Sequence, residues 1–474
     1  MKIKNNFSRM SKDSVNYLFV RIVPKLISFI TIPIILRLIT PKFWGEIALM
    51  LGLQSLTSAF LLRGRSSAGE RYIVPLGEKK ALNFLKKSNL NLIRNFFLIF
   101  LLFEFLNYLN YLNFLDIDYG MPFRLSLMGS LFLSFNTMYN SLLRALDSSD
   151  TILKGTFILG FSTPFIQLSL VVFIIFLEGF NDRMIVTAYF VGQCLAFGLT
   201  TQYLYKHVNN YLRDLDIQEQ SNLNNRRINS FMNYSFLFYI FSSLLNWQDR
   251  YFLNYYLSKS DVGYYDATYK YVAMIGVVVG SFIWALSPVL NKKVEVSNEV
   301  YFDKLNNLSL LGFLLAVMGV YSIEIIGPIL LPGKYINSLY IVPILAIAIS
   351  FWNYGSVLTL IFKVKENQKI AAIGILITAL TNGLLNFLMI PDYGILGASL
   401  ALIISSILYF FYCSYYAFKF GFRFSKINYE ILLITLVILL KYFYWDVVNY
   451  QILFIILIFS ITLIRIFKLI KKIT

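Results

Sequence analysis

Fourteen apolar runs leave this chain little choice of fold. They lie at 14–38, 43–62, 90–112, 122–143, 152–177, 184–205, 230–257, 265–290, 305–327, 338–362, 369–390, 394–417, 429–445 and 449–467. A helix of about 20 residues crosses a hydrocarbon core of about 30 Å, and in lipid only helices and closed barrels satisfy their own backbone. These runs are continuously apolar rather than alternating, which selects helices. Hydrophobic residues make up 58% of the 474 and charged residues 14%, too apolar a mixture for a soluble interior of this size. The expected fold is an all-α polytopic membrane protein of about fourteen transmembrane helices.

Basic residues set its expected orientation. The net charge is +17, yet the Lys and Arg residues sit mostly in short loops, with no aromatic-studded basic domain. Nucleic acid is therefore not an expected partner. The loop at 63–89 alone carries Arg63, Arg65, Arg71, Lys79, Lys80, Lys86 and Lys87, whereas every loop assigned to the outside carries three or fewer. By the positive-inside rule both termini belong in the cytoplasm. Arg21, Pro24 and Lys25 interrupt the first apolar stretch and no small-residue cleavage site follows, so it reads as a retained helix rather than a signal peptide. Lys270, at the start of the eighth span, reads as an interfacial anchor.

Signals of other chemistry are weak. Cys194 and Cys413 lie far apart in apolar runs and imply neither a disulfide framework nor a metal site. A single histidine, His207, makes a histidine-based zinc site untenable, and no phosphate-binding glycine loop is present. The acidic tripeptides at 116–118 and 214–216 resemble a metal-holding pair of glycosyltransferases but have no domain around them. The chain is not expected to be an enzyme, and no cofactor is expected.

Two segments look alike. "NYLFVRIVPKLISFITIPIILRLITPKFWGEIALM" begins at Asn16, and "NYSFLFYIFSSLLNWQDRYFLNYYLSKSDVGYYDATYK" begins at Asn233. Gly45 lies 29 residues after Asn16, and Gly263 lies 30 after Asn233. An offset of about 218 residues superposes spans one to six on seven to twelve. An even number of helices per copy makes the copies parallel, a transporter arrangement with the substrate path between lobes. The expected organisation is an N-terminal six-helix lobe at 1–205, a cytoplasmic linker at 206–229, a second six-helix lobe at 230–418, and two further helices with a basic tail at 419–474.

Both helices that open the lobes carry charge into the membrane. Arg21 and Lys25 are four residues apart and share a helix face. They either snorkel to the interface or line a wet path. Asp249 and Arg250 lie deep in the seventh span, and Arg250 forms a polar stripe with Asn246 and Asn254. That stripe either locks helices together through an ion pair or faces a hydrated cavity, where arginine's planar fork favours phosphate. Glu104 is the other deep carboxylate, a structural acid or an ion-coupling group. Coupling to a proton or sodium gradient would fall to Asp249 or Glu104.

Three stretches resemble a known family. "PIILRLITPKFWGEIALM" (33–50), "DRYFLNYYLSKSDVGYYDATYK" (249–270) and "NFLMIPDYGILGASLAL" (386–402) are similar to signatures of the polysaccharide-transporter flippases, in their usual order. That family belongs to a superfamily with multidrug-and-toxin extruders and the lipid II flippase. The resemblance covers the first twelve helices. It implies translocation of a polyprenyl-diphosphate-linked oligosaccharide, for O-antigen or a similar surface glycan, from the inner to the outer leaflet of a bacterial inner membrane. Rocking of two lobes around a cationic cavity would move it. A polysaccharide polymerase and a chain-length regulator are the partners the resemblance implies, besides membrane lipids. Carried over residue by residue, it makes Arg21, Lys25 and Arg250 substrate contacts. Two other functions compete: a cation-coupled drug or metabolite exporter of the same superfamily, and a many-span glycosyltransferase or polymerase, which the short outside loops disfavour.

Overall fold

The computed structural model describes residue 27 and residues 30–73, 76–109, 120–146, 149–178, 182–213, 225–292, 298–365 and 367–422. The described chain is built of helices. After α1 (30–38) come α2 (Pro41–Leu62), α3 (Arg65–Tyr72), α4 (Gly77–Tyr108), α5 (Met121–Ala145), α6 (Ser149–Glu178) and α7 (Asp182–Arg213). Then follow α8 (Asn225–Tyr256), α9 (Lys259–Lys292), α10 (Asn298–Leu330), a 3₁₀ segment (Gly333–Ile341), α11 (Val342–Val364) and α12 (Gln368–Lys419). Within the described residues, the second to twelfth expected spans all fall on helical segments. The final pair, at 429–445 and 449–467, lies outside the described residues.

Length and composition alone qualify five of these helical stretches as membrane spans: Pro41–Leu62, Gly77–Tyr108, Arg183–Arg213, Gly333–Lys363 and Gln368–Lys419. Several other helices owe their lower hydropathy to polar side chains turned inward. Helix α5 buries Ser126, Ser130, Ser134 and Asn136, and α8 buries Asp249 and Arg250. Meanwhile α4 presents Leu98, Leu101, Leu102 and Phe105 outward. Apolar side chains outside and polar ones within is the arrangement a bilayer demands.

Packing divides the chain into two compact units, one of Val23–Gly263 and one containing Tyr264 onward. Tyr264 follows the seventh expected span. In the first unit, α2 packs on α5 through small hydroxyls. The Ser58 and Ser134 hydroxyls are 2.9 Å apart, and Ser126 Oγ donates to the Met50 carbonyl at 3.0 Å. Arg144 on α5 pairs with Glu70 on α3 at 3.3 Å, both nearly buried.

The glycines of the two similar segments meet inside this unit. A methyl group at Gly45 would overlap the Lys259 carbonyl, and one at Gly263 would overlap the Pro41 carbonyl. Pro41 and Lys259 are the first residues of α2 and α9. They are 218 residues apart in sequence, as are Gly45 and Gly263. The contact is therefore reciprocal, as a two-fold axis between repeated elements produces. Lys259 Nζ adds an ion pair to Glu46 Oε1 at 3.3 Å.

In the second unit the signature at 386–402 has a mechanical explanation. Gly394, at φ 56 and ψ −132, breaks α12 three residues after Pro391. Side chains other than hydrogen are excluded from that backbone region. Asn386 Nδ2 donates to Asn382 Oδ1 at 3.0 Å, and Asn382 Nδ2 donates to Ser405 Oγ at 3.3 Å, tying the halves of α12 together. Gly45→Ala or Gly263→Ala should each lower stability by about 1–3 kcal/mol through overpacking. A fall in the melting temperature of purified protein would show it, and an unchanged value would mean the helices separate freely.

Candidate functional site

The candidate site is built on the seam between α2 and α8. Small residues on α2 let α8 approach closely: a methyl at Gly52 would press on the Trp247 side chain and the Tyr251 hydroxyl. One turn away on either side the seam is polar. Tyr251 OH donates to the Leu49 carbonyl at 2.9 Å, and the Ser55 and Ser243 hydroxyls are 2.9 Å apart. Ser243, Trp247 and Tyr251 repeat every four residues, one stripe of α8 laid on α2. In lipid such bonds are worth roughly 0.6 kcal/mol each on average, so it is their number that fixes register.

Asp249 and Arg250 are both 1% exposed. The Arg250 guanidinium donates through Nη1 to the Asn246 carbonyl one turn earlier at 2.8 Å, and its centre lies 5.0 Å from the Trp247 ring centroid. That combines a charge-assisted hydrogen bond with a cation–π contact. Asn246 is half-buried and donates from Nδ2 to the Ser242 carbonyl at 2.7 Å. Asn254, one turn beyond Arg250, is also half-buried. The stripe Asn246, Arg250 and Asn254 thus holds together on α8, with its central cation enclosed rather than open to water in this conformation.

The other expected site residues lie elsewhere. Glu104 on α4 takes a two-point grip from Arg124 on α5, with Nε donating at 2.8 Å and Nη2 at 3.0 Å. Arg21 and Lys25 lie outside the described residues. Sequence reasoning did not single out Ser55, Ser243 or Tyr251. Serines and tyrosines occur throughout the chain, and only the close approach at Gly52 marks these three as seam residues. Among the described residues, no group of three or more His, Cys, Asp or Glu side chains could hold a metal ion.

Arg250→Gln removes the guanidinium from the Asn246 carbonyl and the Trp247 ring. Losing a hydrogen bond to a charged group costs about 1.5–3 kcal/mol. The variant should melt at a lower temperature in detergent, and a wild-type melting curve would show that Arg250 bears no structural load.

Comparison with known proteins places this architecture. Across the chain, the fold is similar to the lipid II flippase MurJ in its inward closed conformation, with a TM-score of 0.63, 14% identity, and coverage of 94% of this chain and 98% of that one. It is similar to a MATE protein solved in complex with MaD5, at a TM-score of 0.57 and 16% identity over 90% of this chain and 96% of that one. A MATE transporter from Vibrio cholerae gives a TM-score of 0.57 and 15% identity, covering 89% of this chain and 99% of that one. At these identities the likeness is one of fold. No curated protein matches the sequence. Residues 11–294, more than half of the chain, match the family described as polysaccharide biosynthesis protein. This multi-pass, all-helical membrane protein belongs to the polysaccharide biosynthesis protein family.

Proposed function

We propose that the protein is a flippase that moves polyprenyl-diphosphate-linked oligosaccharide units from the inner to the outer leaflet of a bacterial inner membrane. The observation that carries this reading is the family match over residues 11–294 on a chain with the fold of a lipid flippase. A product of polysaccharide biosynthesis assembled on a lipid must cross the bilayer, and a bundle of membrane-spanning helices is suited to moving it. In this reading the termini are cytoplasmic, no bond of the cargo is made or broken, and a polymerase with its chain-length regulator takes the product at the outer face. O-antigen is the glycan class that the resemblance suggests.

Burial of Asp249 and Arg250 gives these residues a definite role in the proposal. They form a charged joint in α8 whose surroundings change as the protein alternates between conformations, with Arg21 and Lys25 completing a cationic path. A buried charge opens to a diphosphate at lower cost than an apolar surface does, because it exchanges one set of partners for another. Asp249 or Glu104 would bind the coupling ion if a gradient drives transport.

Depletion of the protein in its native cell tests the reading. Single repeat units on their polyprenyl carrier should accumulate on the cytoplasmic leaflet while surface polymer disappears. Unaltered lipid-linked intermediates with changed drug susceptibility would instead assign the chain to efflux.

A further inference from the structure

At the end of α2 the chain makes a tight turn through two left-handed residues, Arg63 (φ 45) and Gly64 (φ 72), and at once begins α3 with Arg65. Arg63 is the only non-glycine with positive φ among the described residues. Such a backbone persists only where its surroundings hold it. Here Gly64 is pressed against α8, where a methyl would overlap the Met232 carbonyl.

The turn gathers positive charge. Burial, then the charges of Arg63 and Arg94, push the Arg65 guanidinium down to about 10, so it stays protonated at neutral pH but at a cost. Arg65 donates weakly to the Leu61 carbonyl at 3.4 Å, and Arg63 lies 5.9 Å from the Phe236 ring centroid. Among the described residues, no ion pair joins Arg63, Arg65 or Arg94 to a carboxylate. Glu70, on the same short helix, is engaged by Arg144 at 3.3 Å. Among the described residues, then, Arg144 is answered by a carboxylate here, while Arg65 feels the charges of Arg63 and Arg94.

A second observation points the same way. Ser66, the second residue of α3, is 1% exposed, and its hydroxyl has no hydrogen-bond partner. No side chain caps the N-terminus of α3, where the first amides of a helix have no partner within the helix. Guanidinium donors, a hydroxyl and helix N-terminal amides together make the donor set that a phosphate accepts from. Loop residues that serve only as topology signals have no need to converge. Lys79, Lys80, Lys86 and Lys87 are exposed along α4 and show that dispersed form.

We propose that Arg63, Arg65 and Arg94 form a binding site for a lipid-borne phosphate group at the end of α2, on the face read as cytoplasmic. Either the diphosphate of a polyprenyl carrier or the headgroup of an anionic phospholipid supplies that chemistry. The site does not depend on the function proposed above; only its assignment to cargo does.

Native mass spectrometry of the full chain in detergent, with farnesyl diphosphate or phosphatidylglycerol added separately, tests the site. The wild type should retain at least one of these probes more strongly than phosphatidylcholine. Replacing all three arginines with glutamine should weaken its binding by about tenfold or more, and Arg65→Lys should retain part of it. Preference for farnesyl diphosphate assigns the site to cargo, and equal or greater retention of phosphatidylglycerol assigns it to bulk anionic lipid. If the triple variant melts like wild type and binds both probes equally well, there is no such site. Should the triple variant fail to fold, Arg63→Gln and Arg94→Gln are read singly, since both residues are exposed, and unchanged binding in both overturns the proposal. Because neither probe carries sugar, failure here leaves the transport reading untouched, and failure of transport leaves this site standing.

Discussion

Two helix starts meet backbone to backbone where Gly45 faces the Lys259 carbonyl and Gly263 faces the Pro41 carbonyl. Neither glycine tolerates a methyl, so the approach sets how closely α2 and the beginning of α9 can lie. The seam below inherits that spacing. Helix α8, which ends just before Lys259, runs back along α2 through Tyr251, Trp247 and Ser243. In lipid the helices gain little from hydrophobic association, so close packing at small residues and a few buried hydrogen bonds hold them. Loss of the glycine contact would leave those bonds misaligned.

Charge is handled differently at different depths. Asp249 and Arg250 are enclosed, with the guanidinium anchored on its own helix and beside Trp247. Glu104 and Arg124 neutralise each other by a two-point pair on the partly exposed side of α4 and α5. Glu70 and Arg144 do so near the end of α2. Ion pairs at such places answer the cost of charge in a low-dielectric medium. The arginines around the α2–α3 turn depart from this pattern, which is why they read as a site.

Much of the fold was legible from hydropathy, because a bilayer permits few solutions: α2 and the helices from α4 to α12 fall on the expected runs, whereas α3 lies in a stretch that reads as a loop. The repeat was visible in only a few residues, and its most informative pair, Gly45 and Gly263, marks positions where no side chain fits. The signature around Pro391 and Gly394 likewise reflects one backbone angle. Hydropathy could not tell whether Arg250 faces water or protein, since a polar stripe on α8 serves either. Nor could it find the cluster of Arg63, Arg65 and Arg94. Basic loops are general in membrane proteins, and Arg63 and Arg65 flank a left-handed turn that no residue-type preference foretells.

Transport itself is most directly tested by reconstitution. Purified protein in vesicles carrying labelled polyprenyl-diphosphate oligosaccharide should render lipid from the inner leaflet accessible to an impermeant glycosidase, well beyond protein-free vesicles. Accessibility that stays at the protein-free level under imposed proton and sodium gradients would contradict a flippase.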